Sequence, residues 1–490
     1  MKEPRHPLVI GCLAGGLGAA AALFYTREGL AISHFDARAH LVVARRILDS
    51  LYPGWQQIGA VWLPLPHVLN MIPVQVDAWY RSGASAIAIS VASTAVSTWA
   101  IARLIATTTG SILGGAVAAT LLLANPNLLY IQSTPMTEPL LLATGFVSLA
   151  LLARWVQRDA AGWPHAPGLA LTAACMTRYE GWLIAAAAIA LTVAVLLRHG
   201  RGLRFALEAA IKLTVYPAIA ILLFCVNSRW TIGTWFIPSG FFVPENEALG
   251  RPWLAFTQVR DSVYQLSGRP YIWGGYLGVV LTVVTFARTR ARAPLVLLLA
   301  MLAAAALPAY AYLEGHPLRV RYGLIPVAAC AALTGAGIAV LWRPLRGVAA
   351  IAVVAAALWG TSPIDRSALL IGESRRDDAN AAGRRAITAY LQAHYGHESP
   401  IMLSMGSLAH YMHDLGRAGF DIHSFLHEGN GQAWQYAVLA PADYVEWLVL
   451  EERAEGGDSL FQARERDARY LEAFDRVAEG GGAALYRRRR

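Results

Sequence analysis

The ionisable side chains of this chain that could do chemistry gather in four short stretches, each beside a long apolar run. The densest is Ser33-His34-Phe35-Asp36-Ala37-Arg38-Ala39-His40. Asp36 and His40 are four residues apart, so on a helix they share a face. A carboxylate there suits a general base toward an acceptor hydroxyl, or a ligand to a divalent cation. The plainer reading is a helix N-cap, with Tyr52 and Trp55 anchoring the segment at a membrane surface. The second stretch is Ser133-Thr134-Pro135-Met136-Thr137-Glu138-Pro139. Thr134 or Thr137 would cap the following helix, and Glu138 would sit in its first turn, where the helix dipole favours an acid. The third, Thr177-Arg178-Tyr179-Glu180-Gly181-Trp182, reads as a tight turn between two apolar runs. The fourth is Glu314-Gly315-His316-Pro317-Leu318-Arg319-Val320-Arg321-Tyr322. Arg319 and Arg321 present forks that suit a phosphate, unless they only snorkel toward lipid headgroups.

The elements that must position these groups are membrane helices. Of 490 residues, 56% are hydrophobic and 15% charged, with a mean hydropathy of +0.43. Apolar runs fall near 7–25, 83–105, 110–130, 139–155, 167–178, 182–198, 211–228, 272–287, 294–312, 323–342 and 347–360, most of them of membrane-crossing length. A net charge of +9 raises nucleic acid as a partner, but its distribution argues against one. Lysine occurs only at Lys2 and Lys212, and the arginines sit in short loops between apolar runs. With eleven spans and the N-terminus inside, Arg103, Arg154, Arg158, Arg198, Arg201, Arg204, Arg288, Arg290, Arg292, Arg343 and Arg346 all fall on the cytoplasmic side. The stretch from Val61 to Trp79 is apolar but carries Pro64, Pro66, His67, Pro73 and Asp77. Counting it as a twelfth span would put the later arginine clusters outside, so it is expected to lie along the outer surface or re-enter from it.

Three external segments follow, 27–82, 227–270 and the tail from 361. Nineteen of the 32 acidic residues lie in that tail. The spacing over Ala379–His394 predicts a helix, Pro400–Ser404 and Tyr444–Leu450 predict buried strands, and Ala473–Val477 with Ala483–Tyr486 predicts a closing hairpin. The fold class expected is a polytopic helical membrane bundle of about eleven spans (1–360) with a small external α/β domain (361–490). Cys12, Cys175, Cys225 and Cys330 all fall in apolar runs without metal-ligand spacing and read as small core residues. Lys2 and Arg5 before the first apolar run mimic a signal peptide, but an uncleaved first helix fits the spans that follow.

This layout resembles the GT-C membrane glycosyltransferases, in the branch of protein O-mannosyltransferases and the lipid A aminoarabinose transferase. The resemblance rests on Asp36 early in a long first external loop, then Ala44-Arg45, Gly54 and Pro64-Leu65-Pro66-His67. Thr137-Glu138-Pro139 looks like the acidic turn of the second external loop, and Arg321-Tyr322 like the pair opening a late span. Many relatives carry a second acid directly after the loop-one Asp, where this chain has Ala37.

The resemblance implies transfer of a sugar from a polyprenyl-phosphate-linked donor to a glycan, lipid or protein acceptor at the external face of a prokaryotic cell membrane. Asp36 would accept the acceptor's proton in an inverting displacement, while Arg319 and Arg321 hold the leaving phosphate. Glu138 would act with Asp36 in catalysis. Arg178, Tyr179, Glu180, His316 and Tyr322 would line the substrates, and His34 and His40 would support Asp36. A divalent cation, where one is used, would take Asp36 and Glu138 as ligands. The rival class is a transporter or flippase of a lipid-linked glycan, which places ionisable groups near the bilayer midplane. Here the middles of the runs are rich in Ala and Leu and nearly uncharged, and the acids lie at the run ends.

Overall fold

The computed structural model describes residues 6–235, 242–243, 245–360, 362–454 and 457–489. Every apolar run read from the sequence is helical. Among the described residues, eight helices are long and apolar enough to cross a membrane: His6–Arg27, Ala84–Thr109, Glu138–Gln157, Glu180–Arg198, Leu203–Ile232, Arg269–Arg288, Arg290–Leu313 and Val320–Val340. At 1.5 Å rise per residue, the 20 residues of Glu138–Gln157 cover about 30 Å. The remaining runs form Ile112–Ala124 with Pro126–Ile131, His165–Cys175 and Arg343–Gly360. Asn125 breaks the first of these, and its side chain caps the second piece by accepting from the Leu128 N–H at 3.0 Å. The chain is a polytopic helical membrane protein.

Packing divides the molecule into two compact units. One comprises Met1–Arg27, Ile87–Phe224 and Pro244–Ile371, and the other Glu28–Ala86, Cys225–Val243 and Gly372–Arg490. In the first unit, small residues let helix backbones touch. A Cβ on Gly114 would lie 2.4 Å from the Gly335 carbonyl oxygen, and one on Gly335 would lie 2.3 Å from that of Gly114. Gly278 meets the Leu333 carbonyl just as closely, at 2.3 Å. Lipid tails are as apolar as leucine, so such close approach is what holds helices together there. Leu8, Leu13, Leu222, Leu223, Val280 and Ile351 leave apolar surface uncovered by protein, as lipid-facing positions do.

The second unit is built on a five-stranded sheet of β1 (Ile401–Leu403), β2 (Phe425–Leu426), β3 (Trp447–Glu451), β4 (Phe474–Gly480) and β5 (Ala483–Arg488), in the order β2-β1-β3-β5-β4. β1 pairs in parallel with β2 and β3, β5 runs antiparallel to β3, and β4 and β5 form the expected hairpin. Alternate residues feed two cores. Ile401, Leu403, Trp447, Val449 and Leu485 face one, and Met402, Leu448, Leu450, Ala484 and Tyr486 face the other. The helix predicted over Ala379–His394 breaks at Arg384 into Leu369–Gly383 and Arg385–His394. Arg384 turns inward there to bond Glu451 and His410.

Loop one is grouped differently from the sequence reading, which kept 27–82 with the membrane helices. Leu41, Val42 and Val43 of helix Phe35–Arg45, with Val74 and Tyr80, pack into the first core beside Leu408, Met412 and Leu415 of helix Met405–Arg417. Burying side chains of this size stabilises by roughly 1.5–3 kcal/mol each. The stretch from Val61 to Trp79 does not span. It folds as Leu65–Asn70, Pro73–Gln75 and the start of Asp77–Ser82, and a six-residue helix reaches only about 9 Å.

Candidate active site

Four of the sequence-predicted residues meet in the first unit around Arg178, which lies in the turn between helices His165–Cys175 and Glu180–Arg198. Its Nη1 is 3.1 Å from Glu138 Oε1 and donates to Thr137 Oγ1 at 2.9 Å. On its other edge Nη2 and Nε donate to Glu180 Oε1 at 2.8 and 3.2 Å. Arg321, in the turn Val320–Gly323 that leads into helix Leu324–Val340, brings its Nε to 3.6 Å from Glu138 Oε1. Glu138 is 0% exposed and Glu180 4%, so both carboxylates depend on these guanidinium groups in place of water. The Tyr322 ring lies 5.6 Å from the Arg178 guanidinium carbon and 5.5 Å from that of Arg321, within cation–π range of both.

The local backbone explains how these side chains converge. Pro139 at the helix start and Glu138 in its first turn suit a helix N-terminus. Neither threonine caps it as expected. The Thr137 hydroxyl accepts from Arg178, and that of Thr134 donates to the Ile131 carbonyl at 2.6 Å. After Arg178 the turn is tight enough that a Cβ on Gly181 would fall 2.2 Å from the Ala174 carbonyl oxygen, so only glycine closes it.

The other predicted residues take different places. Tyr179 packs edge-on against Trp182 and Phe224, at centroid distances of 5.3 and 6.4 Å. His316 lies 6.0 Å from the Tyr322 ring, and its carbonyl accepts from Asn246 Nδ2 at 2.6 Å. Arg319 is held through its backbone, donating its N–H to the Tyr312 hydroxyl at 3.1 Å and accepting from it at 2.9 Å. Asn246 and Tyr312 carried no chemical motif in the sequence, and only the structure places them as supports of this turn.

Asp36, His34 and His40 belong to the second unit. His34, not Asp36, is the N-cap of helix Phe35–Arg45, its Nδ1 accepting from the Asp36 N–H at 3.2 Å. Asp36 occupies the first turn and is half-buried. His40 bonds His67 at 3.0 Å and lies 4.2 Å from the Trp62 ring. Among the described residues no group of three or more His, Cys, Asp or Glu is placed to hold a metal ion.

No family model matches the chain, and no curated protein matches it. Solved structures do. The structure of ArnT from Cupriavidus metallidurans bound to undecaprenyl phosphate matches with a TM-score of 0.56 and 13% identity, over 96% of this chain and 97% of that one. The apo state of the same protein matches with a TM-score of 0.58 and 15% identity, over the same shares. This chain has the fold of ArnT. That fold, which the loop-one and Arg321-Tyr322 motifs pointed to, extends over nearly the whole length of both chains, tail included. At this identity the likeness carries architecture, and the roles of single side chains rest on their own geometry.

Proposed function

We propose that the chain is a membrane glycosyltransferase that moves a sugar from a polyprenyl-phosphate-linked donor to an acceptor hydroxyl on the external face of a prokaryotic cell membrane. The observation that carries this reading is the near full-length ArnT fold, shared with a structure that holds undecaprenyl phosphate. The buried Arg178–Glu138–Arg321 group supports it, because cationic forks at helix ends suit a lipid phosphate. Polar groups gathered at run ends fit chemistry at the membrane surface better than passage through its midplane.

In this reading Asp36 takes the proton of the acceptor hydroxyl as its oxygen attacks the anomeric carbon. The bond to the donor phosphate breaks, and the electron pair leaves with the polyprenyl phosphate. Arg321, with Arg319 beside it, stabilises the charge that grows on that phosphate. Arg178 holds Glu138 and Glu180 in register, and Tyr179, His316 and Tyr322 shape the substrate side. A single displacement inverts the anomeric centre. The sugar and the acceptor class (glycan, lipid or protein) are read out by assay, and so is any use of a divalent cation by Asp36 or Glu138.

The test is transfer by the purified full chain in lipid nanodiscs, supplied with polyprenyl-phosphate sugars and candidate acceptors. Asp36→Asn keeps the shape and the helix preference of the residue but removes the proton acceptor. Turnover is expected to fall by roughly 10²–10⁴-fold while donor binding survives. Retention of more than about a tenth of wild-type turnover would exclude Asp36 as the base on that magnitude. A wild-type protein that neither transfers sugar nor binds polyprenyl phosphate would overturn the whole reading.

A further inference from the structure

We propose that Asp377 of the C-terminal segment, with Glu373 one turn earlier facing His34, is a positioning residue that holds the Phe35 N–H so that the first helical turn keeps Asp36 in one orientation. This rests on the reading of Asp36 as the base. Asp377 and Glu373 are four apart on helix Leu369–Gly383 and so share a face. Asp377 Oδ2 accepts the Phe35 N–H at 2.9 Å, satisfying one of the N–H groups that a helix start leaves open. The same oxygen lies 3.7 Å from His34 Nδ1, and Glu373 Oε1 lies 3.8 Å from His34 Nε2. His34 is 3% exposed, and its Nδ1 accepts from the Asp36 N–H, so a neutral ring carries its proton on Nε2, toward Glu373.

The rest of the turn is gripped from the same segment. The Phe35 ring stacks on His410 at 3.9 Å and 18°, and Arg38 donates to both oxygens of Asp414 at 2.9 Å and to the Ser33 carbonyl at 2.9 Å. The charged and titratable groups facing Asp377 are therefore Glu373 on its own helix and His34, Asp36 and Arg38 on loop one, while His410 in turn faces Arg384, Arg38 and Asp36. Burial, with Glu373 and Asp36 nearby, pushes Asp377 up to about 6.

Two variants of the full chain in nanodiscs test this. Asp377→Ala removes the acceptor, and turnover per folded molecule is expected to drop by roughly 10–100-fold, the scale of a misplaced reactive group. The donor KM stays within about twofold, since a positioning loss acts on kcat. Asp377→Asn keeps an oxygen for the Phe35 N–H and should recover turnover to within about threefold of wild type. Amide hydrogen exchange at Phe35–Arg38 should quicken in the Ala variant and not in the Asn variant. Unchanged exchange in Asp377→Ala would overturn the hold on Phe35. Faster exchange with unchanged kcat would reduce Asp377 to a cap and overturn its positioning role. Wild-type protein that transfers nothing removes instead the assignment of Asp36 as base, and this role with it.

Discussion

Arg178 neutralises two buried carboxylates at once, and that double duty makes it the residue least able to change alone. With Glu138 at 3.1 Å and Glu180 at 2.8 Å, its removal leaves Glu138 with Arg321 at 3.6 Å and takes from Glu180 the cation at 2.8 Å. Breaking a buried pair from one side costs about 3–5 kcal/mol, so Arg178→Met should lose folded yield and lower the melting temperature in detergent. The double change Arg178→Met/Glu180→Gln should melt higher than Arg178→Met, because it withdraws one stranded charge. A double variant no more stable than the single would show that Glu180 is not held by this pair. The same geometry changes how Arg321 must be probed. Arg321→Ala would strip a partner from Glu138 and confuse folding with phosphate binding, whereas Arg321→Lys keeps a charge and loses only the fork. The sequence placed Glu138, Arg178, Glu180 and Arg321 at run ends correctly. It carried no signal that Arg178 pairs with acids on either side of it, because contacts 40 residues apart depend on which helices pack together. Asp377 was invisible for a similar reason, as one acid among many in an acidic tail.

At the level of elements, composition and periodicity were enough for the long apolar helices and for β1, β3, β4 and β5, but not for β2, for helix Met405–Arg417 or for the grouping. β3, with all five residues buried, reads as a strand from its composition, and β4–β5 from the glycines between them. The break at Arg384 was not legible, since a long polar side chain on a helical pattern normally points to solvent. Nor was the burial of loop one. Its Leu41-Val42-Val43 run is short, and only its partners on helix Met405–Arg417 decide which unit it joins. Among the tight element contacts is the glycine crossing of Ile112–Ala124 with Leu324–Val340. A side chain at Gly335 has no room to move into, because backbone and not a flexible tip stands 2.3 Å from the added Cβ. Gly335→Val should therefore force the helices apart and destabilise by roughly 1–3 kcal/mol or more, against little effect for Gly347→Ala, where a Cβ meets nothing within 4 Å. Thermal unfolding of both variants in one lipid mixture checks the contrast, and equal melting temperatures would sink it.

On the scale of the whole molecule, the soluble part is set to fail in acid. His413 and His427 are fully buried and neutral, and burial pushes each down to about 3. His413 bonds the Tyr80 carbonyl at 3.0 Å, and His427 Nδ1 accepts the Gly429 N–H at 3.0 Å. Above a pH of about 6.5 neither state binds the proton, so stability is flat. As pH falls from 6.5 toward 3 the unfolded chain gains protons that the folded one refuses, and stability is lost. Each pH unit costs about 1.4 kcal/mol per histidine, or about 4 kcal/mol for the two at pH 5. Unfolding followed by tail fluorescence from pH 7.5 to 5 should show this slope, and His413→Gln should make it shallower. A slope unchanged in His413→Gln would mean that other groups cause it.

Membrane sidedness follows from contacts inside the helical unit together with the arginine count. Glu138 opens one helix and Arg178 closes the pair Glu138–Gln157 and His165–Cys175, yet the two meet at 3.1 Å, so the pair leaves one membrane face and returns to it. Arg321 reaches Glu138 after four further crossing helices, an even number that again restores the face. Leu324–Val340 and Arg343–Gly360 add two more, so the chain emerges after residue 360 on the face that holds Glu138. Three helical stretches precede Glu138, which puts residue 6 on the opposite face. The arginines at the far ends of these helices, Arg154, Arg158, Arg198, Arg288, Arg292 and Arg343, mark that opposite face as cytoplasmic. This count predicts that the tail is external, and the Glu138 group with it. Alkaline phosphatase fused after residue 490 should be active, while the same enzyme fused after Arg292 or after Asp159 should be silent and a fluorescent protein there should mature. An active phosphatase after Asp159 would mean that Glu138–Gln157 is crossed the other way. The site would then face the cytoplasm, and an externally presented polyprenyl donor could not reach it.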